Sequence, residues 1–424
     1  MSREMKEVKL PWVKEIPVDY DVRLVKNLFS IGRGRVIAKT DIDSDNNGKM
    51  YPVYSSQTAN DGCMGYIPSY DYEQDSLTWT TDGANAGTVF LRSGKFNCTN
   101  VCGILTLRNN DKYYLPFFGY SVNLSSLNSR RSDILGHKVM SNEMARFSVV
   151  FPINIEEQRQ IVHFLDRKCT AIDTAIEKTK ESIEKLEEYK KAVITKAVTK
   201  GLDPDAKMKD SGVEWIGEVP ETWGIGKLKY FYDITLGKMV NKDNSGDEGD
   251  SYLCAANIKW DGVNTDVHRR MIFTNKEKEQ YLLNDGDVLI MEGGAAGTSC
   301  IYNNEFAPCY IQNSVNRCRG KKGHVNKFLY YWMHTAFYAG YINVACNQAT
   351  IMHYTKEKVA ETPFVRISEH EQLEIVNYLD KKCTEINNLI TKKQEAINKW
   401  EEYKKSLIYY AVTGKIDCRN EVIE

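Results

Sequence analysis

Side chains able to read the edge of a base pair are concentrated in two stretches of this chain of 424 residues. The first stretch holds Ser55, Ser56, Gln57, Thr58, Asn85, Asn97, Asn100, Arg130 and Arg131. The second holds Asn257, Gln312, Asn313, Asn316, Arg317, Asn347, Gln348 and Thr350. Asn and Gln can bond adenine at two atoms at once, and Arg can do the same for guanine, so this repertoire suits sequence-selective contact with a duplex. Each is also an ordinary turn or surface residue type, and spacing alone does not identify the readers. Both stretches carry a small-residue loop after an apolar run, Asp82-Gly-Ala-Asn-Ala-Gly-Thr in one and Glu292-Gly-Gly-Ala-Ala-Gly-Thr in the other. Bare backbone of this kind, as at Gly293 and Gly294, lets a phosphate approach closely, and it equally serves as a simple turn. The Gly-Lys-Ser/Thr that completes a nucleotide-binding P-loop follows neither loop.

Chemistry that breaks or makes bonds has no equally clear signature. The chain has no Asn/Asp-Pro-Pro-Tyr/Phe run for adenine methylation and no dinucleotide-binding glycine fingerprint. Its seven His residues form no pattern with Ser or Cys that demands a nucleophile. Asp203-Pro-Asp-Ala-Lys207 resembles a nuclease carboxylate cluster only faintly. The eleven Cys residues lack a close Cys-x-x-Cys pair, so reduced thiols and no metal site are expected. With 56 basic and 57 acidic side chains the net charge is −1, which argues against indiscriminate binding of nucleic acid; a reader of DNA would have to segregate its charge. No apolar run is long enough to span a bilayer and the N-terminus lacks a secretory pattern, so a cytoplasmic protein without a membrane partner is expected.

The loops need elements to hold them. Leu77 to Thr81, Thr88 to Arg92 and Asp287 to Met291 each read as a strand stopped by a turn signal, and Asn326 to His334 reads as an amphipathic helix. Far stronger is a repeat. Glu157-Gln-Arg-Gln-Ile-Val-His-Phe-Leu-Asp returns 214 residues later as Glu371-Gln-Leu-Glu-Ile-Val-Asn-Tyr-Leu-Asp, and Glu187-Glu-Tyr-Lys-Lys returns as Glu401-Glu-Tyr-Lys-Lys. Asn154 or Ser368, with Glu157 or Glu371 three residues on, forms a capping-box pattern at each start; Gly201 and Gly414 stand at the two ends.

Between these ends an apolar series at 3-4 spacing runs through Leu165, Ile172, Ile176, Ile183 and Leu186 in one copy. In the other it runs through Leu379, Ile386, Ile390, Ile397 and Trp400. A helix of roughly 40 residues, about 60 Å long, has to pack on another helix. The other copy is the obvious partner, and antiparallel pairing would relate the halves by a pseudo-two-fold axis. Packing on its own half or on another chain remains open. Lys190 and Lys404 interrupt the seam at the same repeat position, either to fix the register or to snorkel. Trp12 to Tyr20 also resembles Trp215 to Trp223, so the whole chain is a duplicated unit. Its expected segments are 1–153, a variable domain; 154–201, a long helix; 202–214, a polar linker; 215–367, a second variable domain; and 368–424, a second long helix with a tail.

Taken together, the helices beginning near Glu-Gln, with Ile-Val-x-x-Leu-Asp and Glu-Glu-Tyr-Lys-Lys, resemble the conserved regions of type I restriction-modification specificity subunits. Tyr51-Pro-Val-Tyr-Ser-Ser, with Gly62 and Gly65-Tyr66, resembles a target-recognition domain of that family. The resemblance covers nearly the whole chain. It implies an α+β protein in which two mixed α/β target-recognition domains are joined by two long helices pairing as an antiparallel coiled coil. It implies a bipartite, asymmetric DNA site, with a spacing set by the helices. It also implies double-stranded DNA, methyltransferase (M) subunits and restriction/translocase (R) subunits as partners. No cofactor is expected on this chain; S-adenosylmethionine, ATP and magnesium would belong to those partners. A coiled-coil protein-interaction scaffold and a degenerate DNA-modifying enzyme are the alternatives, and one copy per assembly is expected, since the chain already holds both halves.

Overall fold

The computed structural model describes residues 3–46, 48, 50–133, 136–241, 245–346 and 352–420. The chain divides into two compact units, Met1–Thr179 with Glu395–Glu424, and Lys180–Gln394.

In the first unit, alternating and apolar runs build two principal sheets, beside a smaller three-stranded one of Arg131–Asp133, Gly136–Lys138 and Asp82–Gly83 and two-stranded pairs. One has four antiparallel strands in the order Phe29–Arg33, Cys102–Leu107, Ser76–Thr80 and Val89–Arg92. The other sets Asn97–Cys98 parallel to Tyr51–Tyr54, which pairs antiparallel with Cys63–Ile67. Helix α1, Leu115–Ser129, packs on the first sheet through Phe117, Phe118 and Val122, all buried. Its Ser121 and Ser125 hydroxyls donate to the carbonyls of Val150 and Ser148, on the strand that leads into the long helix.

The second unit repeats this plan with different residues. Its four-stranded sheet runs Tyr232–Leu236, Val315–Gly320, Val288–Met291 and Ser299–Ile301. Its three-stranded sheet sets Cys309–Ile311 parallel to Ser245–Leu253, which pairs antiparallel with Arg269–Met271. The helix on the four-stranded sheet, Asn326–Tyr338, buries Phe328, Leu329, Trp332 and Met333. Trp332 donates to the carbonyl of Pro363 as Ser121 does to that of Val150.

The long helices are α2, Ile155–Lys200, and, numbering the helix Asn326–Tyr338 as α3, α4, Glu369–Val412. At 46 and 44 residues they are about 69 and 66 Å long. Each unit contains part of both, packed antiparallel. In the first, Lys404 Nζ lies 2.7 and 2.6 Å from the Asp173 carboxylate oxygens, and Gln160 donates to the carbonyl of Arg419. In the second, Lys190 Nζ donates to Asn387 Oδ1 at 2.8 Å, and Ile194 shares a core with Val376, Leu379 and Cys383. Both seam lysines therefore reach across to the opposite helix, which fits the register role rather than simple snorkelling. Leu165, Ile172, Ile176, Leu379, Ile386 and Ile397 are buried; Ile183, Leu186 and Ile390 are half-buried.

Four expectations need correction. Trp400 is 40% exposed, its ring against Tyr403 rather than in the seam. Ile397 before it and Leu407 and Ala411 after it on the same stripe are buried, so the exposure is local to the Trp400 ring. The capping box is half-formed. Asn154 Oδ1 accepts from Glu156 N and Ser368 Oγ from Glu371 N, but the two glutamates reach elsewhere. Glu157 pairs with Arg3 and accepts from the Tyr20 hydroxyl, while Glu371 accepts from Trp223 Nε1 at 2.8 Å. The segment read as a linker holds a strand, Met208–Asp210, paired with Glu218–Pro220 as Met5–Glu7 pairs with Glu15–Pro17. Finally, several candidate readers are interior residues, as described below. The expected glycine ends do occur: Gly201 and Gly414 both have φ +71°.

Candidate nucleic-acid interface

In the first unit three loops converge at one end of the two sheets. Ser56 Oγ accepts from the backbone N–H of Thr81 at 2.7 Å, which ties the segment after Tyr51–Tyr54 to the small-residue loop. Asn85 Nδ2 donates to Thr58 Oγ1, and Thr99 Oγ1 donates to Ser55 Oγ. Arg130 Nη1 donates to the carbonyls of Ala84 and Ala86, and Gln57 Nε2 to that of Cys63. Ser55, Ser56, Gln57, Thr58, Asn85 and Arg130 are thereby brought into one cluster. Asn100 is exposed beside it, and its carbonyl accepts from Arg33 Nε. Arg131 is exposed and loosely paired with Glu143 at 3.7 Å. Asn97 is fully buried and donates to the carbonyl of Ser69, so it serves the fold instead of a base edge.

The first loop cluster is held under backbone strain. Asn60 and Asp61 have φ of 50° and 49°, left-handed values that cost a residue with a side chain about 1–2 kcal/mol each. Arg92 secures them from the interior. Its guanidinium lies 3.6 Å from the Tyr54 ring centre, donates to Thr78 Oγ1, and donates to the carbonyl of Asp61 at 2.5 Å. Burial is the main cause that lowers its pKa.

The second unit assembles a matching end from different side chains. Gln312 Oε1 accepts from Ser314 N, Gln312 Nε2 donates to Asn313 Oδ1, and Ser314 Oγ accepts from Ala255 N. The small-residue loop joins this turn through Glu292 N, which donates to the carbonyl of Ser314, and Gly293 bridges to His353. Gly294 is exposed. The two small-residue loops share one turn: Gly87 and Gly297 have φ of +89° and +87°, and Thr88 N and Thr298 N donate to the carbonyls of Asn85 and Ala295. An exposed Asn in one domain stands where the other has an exposed Ala.

Asn257 and Asn316 are fully buried. Asn257 donates to the carbonyls of Asn264 and Val267, and Asn316 to that of Tyr354. Arg317, 7% exposed, donates to the carbonyls of Gln280 and Leu282, as an interior brace comparable to Arg92. Asn347, Gln348 and Thr350 lie outside the described residues.

Sequence reasoning missed Arg92 and a pair of cations at the rim. Arg35 N donates to the carbonyl of Cys98 and Lys238 N to that of Ile311, at the same place in the two domains. Arg35 pairs with Asp71 at 2.8 Å and Lys238 with Glu277 at 2.7 Å. The Lys238 hydrogen bond, followed by the backbone N–H of Thr274, holds the Glu277 carboxyl down at about 2. The common signal is a Gly before each cation, Gly34 and Gly237.

Among the described residues no group of three or more His, Cys, Asp or Glu stands together as metal ligands, and no helix is long and apolar enough to cross a membrane.

The family model for the type I restriction modification DNA specificity domain matches this chain twice, over residues 17–188 and 220–399. The chain belongs to the type I restriction-modification DNA specificity family. A putative type I specificity subunit N-terminus from Mycoplasma pneumoniae is 50% identical over 102 residues, covering 24% of this chain and 53% of that protein. The chain thus spans about half the length of that relative. The specificity subunit of the type I restriction enzyme MjaVIII of Methanocaldococcus jannaschii is 24% identical over 421 residues, 96% of this chain and 95% of that one.

Among solved structures, the specificity-family fold is shared with a chain from work on complex assembly and conformational transition of the type I R-M system. The TM-score is 0.72 at 14% identity, over 95% of this chain and 99% of that chain. It is also shared with the HsdS subunit from Thermoanaerobacter tengcongensis, at TM-score 0.53 and 16% identity over 95% and 98% of the two chains. The fold class expected from the sequence, two α/β domains on two long paired helices, is the one found.

Proposed function

We propose that this chain is the DNA-sequence-reading specificity subunit of a type I restriction-modification enzyme. In this reading its two domains read unlike half-sites of one bipartite DNA site, and its long helices separate them. The observation that carries the reading is duplication with divergence. The same two-sheet plan occurs twice, on helices of nearly repeated sequence, with different side chains at the converging loops. Two readers with different polar groups have no reason to select the same bases.

The chain works without catalysis of its own, in the cytoplasm, as one copy per assembly. Methyltransferase subunits carrying S-adenosylmethionine and translocase-nuclease subunits using ATP and magnesium supply the chemistry. Support for this division is the absence from the sequence of the motifs such reactions require.

The test is to co-express the chain with its candidate methyltransferase subunit in an unmethylated host and map methylated adenines. One motif of two unlike half-sites with a fixed unread spacer, lost when the chain is omitted, is the expected result. Methylation that does not depend on the chain would leave the protein-scaffold reading in its place.

A further inference from the structure

We propose that Gln158 with Asp166, and Gln372 with Asp380, are positioning residues that seat each recognition domain on its long helix and so hold the spacer between half-sites to one length. This inference rests on the reading of a bipartite site.

The seat has two points in each unit. Gln158 is fully buried; its Oε1 accepts from Tyr114 N, the residue just ahead of α1, and its Nε2 donates to the carbonyl of Pro152. Gln372 is fully buried in the same way. Its Oε1 accepts from Val325 N, just ahead of α3, and its Nε2 donates to the carbonyls of Ile367 and Gly323. Two helical turns further on comes the second point. Asp166 Oδ1 accepts from the Tyr120 hydroxyl at 2.6 Å, and Asp380 Oδ1 from the Tyr331 hydroxyl at 2.7 Å. The points on each long helix lie eight residues apart, about 12 Å.

Two polar contacts that far apart along the helix set the domain's register and its tilt against the helix, and in the second unit the apolar core that Phe328 and Trp332 share with Ile375 and Leu379 restrains what rotation is left. The spacing of the fixed points has a direct DNA equivalent. Slippage of a domain by one helical turn, about 5.4 Å, amounts to between one and two base pairs at about 3.4 Å each. A seat that loosens should therefore change spacer length while leaving the base-reading loops intact. The duplication argues against accident: Gln and Asp recur within the repeated helices, while each Tyr comes from a domain whose surroundings differ. Lys327 adds a contact to Asp380 Oδ2 in the second unit.

The experiment is methylated-adenine mapping with the co-expressed methyltransferase assembly, comparing the unaltered chain with Tyr331→Phe, Asp380→Ala, Tyr120→Phe and Asp166→Ala. Tyr→Phe removes a single oxygen and keeps the ring packing, so it guards against simple misfolding. Expected is retention of both half-sites, with methylation at spacers one base pair longer or shorter raised about tenfold, the ratio worth one charge-assisted hydrogen bond. A bipartite motif from the unaltered chain, with spacer lengths unchanged in all four variants, overturns the seat alone. Equal relaxation of the half-site bases also overturns it, because that is general loosening. No bipartite motif from the unaltered chain overturns the underlying reading, and the seat with it.

Discussion

The grooves between each domain helix and the long helices differ far more than the contacts that bound them. In the first unit the groove, about 490 Å³, is lined by Gly119, Asn123, Cys169 and Lys404 around the Tyr120–Asp166 contact. Its counterpart in the second unit, about 700 Å³, is lined by Tyr330, His334, Cys383 and Lys190 around the Tyr331–Asp380 contact. One helical turn from the shared Tyr stands Asn123, which accepts from Val89 N, in one unit. In the other stands His334, 8% exposed, whose Nδ1 has no hydrogen-bond partner among the described residues. What is duplicated is the attachment; what has diverged is the wall around it. Attachment and wall therefore answer to different demands, and substitutions should separate them.

The sharpest test of that separation is Gln158→Ala against Gln372→Ala. Each removes the acceptor for a backbone N–H at the start of a domain helix, with two hydrogen bonds lost in all at Gln158 and three at Gln372, where Nε2 is shared between two carbonyls. A loss of about 2–4 kcal/mol is expected in the affected unit, nearly equal in the two, read as faster hydrogen exchange across α1 or α3. A difference between them larger than about 1 kcal/mol would mean that the attachment is not the shared part.

The wall is tested by pH. Burial, then Lys190 and Lys191, pull the His334 imidazole down to about 4, so the folded unit keeps it neutral where the unfolded chain, with an ordinary value near 6.5, takes up a proton. Unfolded protein thus binds more protons between those values, and stability falls as pH drops from about 6.5 to about 4. The loss is on the order of 2–3 kcal/mol and levels off below that window. His334→Asn, the residue type of the other groove, should remove this slope from the second unit. A slope of the same size in the variant's exchange or thermal unfolding would assign the acid sensitivity elsewhere.

Much of this was legible in sequence, and the boundary is physical. The helices declared themselves because period, caps and end glycines all agree with one another over dozens of residues. The strands at 76–80, 89–92 and 288–291 were visible because turn signals stop them. Polar type, however, does not reveal the partner. Asn97, Asn257 and Asn316 have the side chain of a base reader but spend it on backbone carbonyls, whereas Asn85 and Asn313 remain at the surface loops. The seat was hidden for a related reason. Gln158 and Asp166 lie inside the repeat, but Tyr114 and Tyr120 lie some 40 residues earlier, and no local pattern couples them.

The two helix ends offer a smaller contrast. Gly201 and Gly414 share φ +71°, so Ala at either carries the same left-handed penalty of about 1 kcal/mol. Their surroundings differ. A Cβ at Gly414 would sit 2.4 Å from Pro17 Cγ, but at Gly201 it would meet Trp223 at 3.3 Å. Gly414→Ala should therefore destabilise by about 1–2 kcal/mol more than Gly201→Ala in thermal unfolding. Equal losses would mean that the hairpin carrying Pro17 yields.

The smallest expected effect distinguishes the two cross-helix lysines. Lys404 meets a carboxylate, Asp173, and Lys190 meets a neutral amide, Asn387, at the equivalent place. Both contacts are partly open to solvent, so Lys404→Met should cost at most about 1 kcal/mol and Lys190→Met less. Salt is the better discriminator. Between about 0.05 and 1 M salt the screening length shrinks several-fold, so the Lys404→Met penalty should fade while the Lys190→Met penalty barely moves. If both fade alike, the amide contact is not what fixes Lys190, and nearby carboxylates such as Glu187 and Asp380, which share its groove, carry the attraction instead.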